Sequence, residues 1–197
     1  MSLTGRTRTV ALAVVGVALA GPAAAHTGGV VGGLQSGFLH PILGLDHVVA
    51  MIAVGLWGGI LGRPAIWALP VAFPLMMAVA GAGAVAGLPL PGVETGIALS
   101  GIVLGLMVLL AARPPLWVAV AAVAVFATFH GHAHGSELPQ AANPAAYALG
   151  FVVATGLLHL LGILIGALWR WRTGQVAVRA TGGAIALAGA AFLTGLA

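Results

Sequence analysis

Six apolar stretches follow one another between Pro41 and Leu196, near Pro41 to Leu61, Pro64 to Ala86, Gly92 to Ala112, Pro115 to His130, Pro144 to Leu168 and Gln175 to Leu196. Each approaches or exceeds the roughly 20 residues a helix needs to cross a hydrocarbon core of about 30 Å. Ala, Leu, Val and Gly dominate them on nearly every face, and the alternation of a lipid-facing strand is missing, so helices are favoured over a barrel. Charged residues make up only 5% of the chain, where a soluble domain carries roughly 25%. The expected fold class is therefore all-α, a polytopic membrane helix bundle. Pro70 and Pro74 should kink the second span, and Gly101 and Gly105, in a G-x-x-x-G spacing, should let two helices pack closely.

Residues 1–25 read as a secretory signal peptide, with Arg6 and Arg8 as the basic region, Val10 to Ala20 as the apolar core and Ala23-Ala24-Ala25 as the cleavage site. An uncleaved first helix is the alternative, but the apolar run is short for a span. Cleavage would start the mature chain at His26, outside the cytoplasm, and leave residues 26–197 as one six-helix transport domain. The arginines test this topology separately. Arg63, Arg113, Arg170, Arg172 and Arg179 fall after spans one, three and five, where positive charge marks the cytoplasmic side. Both mature termini are then expected on the outer side.

Several function classes are excluded early. The arginines are scattered, with no basic stripe for a nucleic acid. Cysteine is absent, which removes disulfides, thiolate metal sites and iron–sulfur clusters. Lysine is absent as well, so no P-loop is present. Any metal must be held by nitrogen and oxygen.

Two histidine motifs interrupt the hydrocarbon, His40-Pro41-Ile42-Leu43-Gly44-Leu45-Asp46-His47 and Phe129-His130-Gly131-His132-Ala133-His134-Gly135. Ionisable groups are costly in a span, roughly 3 kcal/mol on the gentlest scale, and this chain has three acids in all. Imidazole with carboxylate suits a borderline divalent transition metal. Pro41 fits the first turn of a helix, which would leave His40 at its outer edge with Asp46 and His47 deeper. In a regular helix His40 and His47 share a face but lie roughly 10 Å apart along the axis. Either the backbone is irregular, which Gly44 permits, or the two are successive stations on one path. Asp46 is the charge that draws a cation in.

For the second motif an extended backbone would align His130, His132 and His134, whereas a helix would align only His130 and His134. Glu137, just beyond, either adds an oxygen ligand or solvates the loop. His159 is a further candidate in span five, although a lone helical histidine is more often hydrogen-bonded to a neighbour. His26 would offer an amine and an imidazole on one residue. Glu94 reads as a solvated acid at a helix start.

The pattern His40-Pro41-x-x-Gly44-x-Asp46-His47, followed by Met51 and Gly55, together with Phe129-His130-Gly131-His132-Ala133-His134-Gly135, closely resembles the HupE/UreJ family of nickel or cobalt permeases. The resemblance covers nearly the whole chain, signal peptide and span-five histidine included. It implies a multi-pass permease of the bacterial inner membrane, not an enzyme, that takes up nickel or cobalt as substrate and serves enzymes such as hydrogenase or urease. It also implies functional roles for His40, Asp46, His47, His130, His132 and His134. No permanent cofactor is expected. Two other classes compete: a membrane cytochrome with haem held by helix histidines, and a periplasm-facing metal binder that does not transport.

Overall fold

The computed structural model describes residues 30–137 and 143–196, so the signal-peptide reading and His26 lie outside the described residues. Among those described, the chain is all-helical. The helices are α1 (Val30–Leu43), α2 (Leu45–Leu61), α3 (Ala65–Val85), α4 (Val93–Leu109), α5 (Leu116–Ser136), α6 (Pro144–Gly166) and α7 (Arg172–Thr194), with a 3-10 turn at Ala167–Arg170 before α7. Four are long and apolar enough to cross a membrane: α3, α5, α6 with its 3-10 extension, and α7. Together α1 and α2 are long and apolar enough to cross as one broken span, bent by 79° at Gly44. Helix α4 is shorter, at 17 residues.

Two boundaries differ from the sequence expectation. Pro41 lies in the last turn of α1 rather than the first turn of a span, and the helix restarts only at Leu45. Gly44 takes an extended conformation there, φ −83° and ψ 102°. Helix α5 continues past His130 to Ser136, because Gly131 and Gly135 pack against the backbone of Met77 and Gly81 on α3. This contact stabilises helical turns that polarity alone would assign to a loop. Pro70 and Pro74 lie inside α3, which is one continuous helix.

Glycine contacts decide which helices pair. Cβ atoms added at Gly37 or Gly150 would strike the facing backbones of Tyr147 and Leu34, and this joins α1 to α6. Gly55 and Gly162 do the same for α2 on α6, so both halves of the broken pair run beside α6. Gly101 faces Gly189, and Gly105 faces Ala186 and Gly182, seating α4 on α7. Close backbone approach of this kind replaces hydrophobic driving force when the surroundings are lipid. Ten of the 17 residues of α2 are buried, which makes it the central helix. Leu75, Val79, Leu157, Leu164 and Leu187 are exposed on the outer faces, as a lipid-facing surface requires.

The bundle has two chemically different ends. Helix α2 runs from Asp46 and His47 to Arg63, α5 from the Arg113 side to His134, and α6 from Tyr147 to Arg170. The arginines therefore gather at the end away from the histidines. Arg179 Nε donates to the Leu109 carbonyl (2.7 Å) and Trp57 Nε1 to the Ala112 carbonyl (2.9 Å), closing that end. Arg170 lies over the Trp171 ring, 3.8 Å from its centroid, a cation–π contact suited to a membrane interface.

Candidate metal centre

The 79° break at Gly44 folds the first motif back on itself. His40 and His47 would stand too far apart for one ion on a straight helix, yet their ring centroids are 6.5 Å apart here. His134 lies between them, 4.7 Å from His40 and 4.4 Å from His47. His130 is 4.7 Å from His47. Four imidazoles from α1, α2 and α5 thus converge at one end of the bundle. Glu137 completes the mouth, with Oε2 3.4 Å from His40 Nε2. Ligand atoms of His40, His134 and Glu137 all lie within 4.8 Å of one another.

The hydrogen bonds determine which ring nitrogens remain free. Asp46 Oδ1 accepts from the His47 backbone N–H and from His47 Nδ1, both at 2.8 Å. A carboxylate only accepts, so Nδ1 carries the proton and Nε2, which has no partner, presents its lone pair. His130 follows the same logic on another helix. Ser100 Oγ donates to the Ile97 carbonyl (2.6 Å) and must therefore accept from His130 Nε2 (2.8 Å), leaving Nδ1 free. Both nitrogens of the buried His134 ring are without a partner. Oriented imidazoles backed by a carboxylate or hydroxyl are the usual form of histidine prepared to ligate. Asp46 accordingly stands behind His47 and fixes the orientation of its ring.

The acids converge as well. A cavity of about 300 Å³ is lined by His40, Asp46, His47, Glu94 and Glu137, and those three acids are all that the whole chain possesses. Glu94 does sit in the first turn of α4, as a helix-start acid should, but it faces the same cavity. His132 is turned away: its Nε2 bonds the Leu88 carbonyl at 2.9 Å. It makes no ring contact with the other imidazoles among the described residues, because helical geometry puts it off the shared face of His130 and His134. His159 lies deeper, reached through Phe73 rather than touching the cluster. Ser100 carries no role in the sequence expectation, although a hydroxyl in the middle of an apolar span is a signal for one.

Fold and site together define a polytopic helical bundle whose broken first helix, with α5, presents an imidazole and carboxylate cluster at one end. Residues 12–192 match the family described as HupE / UreJ protein, and the chain belongs to that family. It is 47% identical over 179 residues to Protein HupE of Rhizobium leguminosarum bv. viciae, covering 91% of this chain and 94% of that relative. No solved structure matches it significantly.

Proposed function

We propose that the protein is an inner-membrane permease that takes up a divalent transition metal, nickel first and cobalt second, from the periplasm. The observation that carries this reading is the convergence of four imidazoles and every acid of the chain on one end of an otherwise apolar bundle. His40, His47, His130, His134 and Glu137 supply donors, with Asp46 and Ser100 holding two of the rings. Nitrogen-rich donors favour nickel or cobalt over magnesium, which prefers oxygen. Membership of the HupE/UreJ family, which is associated with nickel and cobalt transport, supports transport over mere capture, and so does the broken helix. Discontinuous helices commonly form transport sites, where freed backbone and helix ends face the substrate.

In this reading α1 and α2 form one discontinuous crossing, and α3 to α7 supply five more. Helix α4, about 25 Å long, is just sufficient for a thin region of bilayer. The arginine end faces the cytoplasm and the histidine end the periplasm. The delivered metal serves maturation of an enzyme such as hydrogenase or urease. The test is uptake of labelled nickel and cobalt into proteoliposomes, with and without an imposed inside-negative potential. Accumulation that requires the protein and rises with potential is expected; binding without accumulation would refute transport.

A further inference from the structure

Below the cluster, the ring of Phe73 is fully buried and touches two histidines at once. Its centroid lies 5.5 Å from His130 and 5.4 Å from His159. His159 is 2% exposed, and neither of its ring nitrogens has a partner. A buried imidazole used for packing normally satisfies at least one of them. Thr155 precedes it by one turn on the same face of α6. It is 0% exposed, and its hydroxyl is also without a partner. Three other helical threonines behave differently: Thr128, Thr181 and Thr194 each donate to the carbonyl four residues back. Thr155 makes no such bond, so its hydroxyl stays available.

We propose that His159 and Thr155 form a second, deeper station for the same divalent cation, set behind the Phe73 ring; this rests on the permease reading. An ion leaving His130 passes the edge of Phe73 and is taken by the His159 imidazole, with Thr155 Oγ1 as an oxygen donor. Two protein donors bind more weakly than the outer cluster, so the ion retains water ligands and releases readily toward the arginine end. A second ion arriving in the outer cluster repels the first and drives that release, as conduction through successive sites requires.

The test compares wild type, His159→Ala, His159→Phe and Thr155→Val in two measurements. Nickel flux is read in proteoliposomes under an inside-negative potential, with a nickel-quenched dye inside. Nickel affinity is read by equilibrium titration of the full chain in detergent. The expected result for His159→Ala is a flux loss of about tenfold or more with affinity within about twofold, since the outer cluster is intact. Thr155→Val, nearly isosteric, should lower flux by about threefold. Wild-type flux in His159→Ala, or flux restored by His159→Phe, would overturn the station, since a ring without nitrogen can serve only packing. Where His159→Ala fails to fold, Thr155→Val decides, and unchanged flux there overturns the proposal. A wild type that binds nickel but does not conduct overturns the permease reading itself, and the station with it.

Discussion

Replacing Asp46 by Asn leaves the shape of the cluster in place and removes one charge. Both hydrogen bonds from His47 end on the same oxygen, Oδ1, and an amide oxygen can accept both, so the ring should keep its tautomer. The electrostatic loss follows from distance. Oδ1 is 2.8 Å from His47 Nδ1; adding the width of the ring and a metal–nitrogen bond of about 2.1 Å places the ion roughly 6 to 7 Å from the carboxylate. A single negative and a double positive charge at that separation interact by about 5 kcal/mol at an effective dielectric of about 20. Asp46 is 26% exposed, so screening lowers this to roughly 3 kcal/mol. The expected result is a loss of nickel affinity of roughly a hundredfold, with uptake at low metal falling in proportion and the amount of inserted protein unchanged. Isothermal titration of the solubilised protein, paired with proteoliposome uptake, measures both. Affinity within about threefold of wild type would refute the assignment of Asp46 as the charge that stabilises the bound cation.

Other outcomes follow from the same geometry. Ser100→Ala removes the acceptor for His130 Nε2 and should weaken nickel binding by about tenfold, measured by titration. His134→Ala should cost at least about tenfold in uptake, whereas His132→Ala, which loses a bond to Leu88, should stay within about twofold. Gly150→Ala pushes a methyl against the Leu34 carbonyl and should lower stability by about 1 to 3 kcal/mol in thermal unfolding, with weaker metal binding because His40 is carried on the displaced α1. Acidifying the outer face should reduce uptake, since protons compete with the cation for the imidazole lone pairs. Acidifying the inner face at fixed potential should do less, and uptake that rises with an inward proton gradient would contradict neutral imidazole ligands.

The apolar stretches and the two histidine motifs were plain in the sequence because lipid exposure and ligand chemistry are written in residue type. The helix ends were harder. Proline rules put Pro41 at a helix start, yet α1 runs through it and breaks three residues later at Gly44, where glycine permits the irregular backbone. The second motif could not choose between strand-like and helical spacing, because the deciding contact lies on α3, where Met77 and Gly81 accept Gly131 and Gly135. Glu94 illustrates a different limit. Its place at a helix start was readable, but the cavity it shares with Asp46 and Glu137 comes from packing α4 beside the broken pair. Ser100 and Phe73 act through tertiary neighbours, for which a single apolar span carries no positional code.

The distribution of polar groups bears on how a chain with no lysine, and so no P-loop, could move an ion against a concentration gradient. The acids and the paired histidines lie at one end and the arginines at the other. With the histidine end outward, a divalent ion crossing about 100 mV, inside negative, gains roughly 4.6 kcal/mol, equivalent to a concentration ratio of a few thousand. That drive is sufficient only if no site holds the ion much more tightly than this. A closed cage of four imidazoles and a carboxylate would trap it. Ligands spread from a cavity lined by His40, His47 and Glu137 to the fully buried His130 offer partial sets instead, each weak enough to pass the ion on. Selectivity then comes from nitrogen at every step, and release from the lack of a complete shell at any one of them.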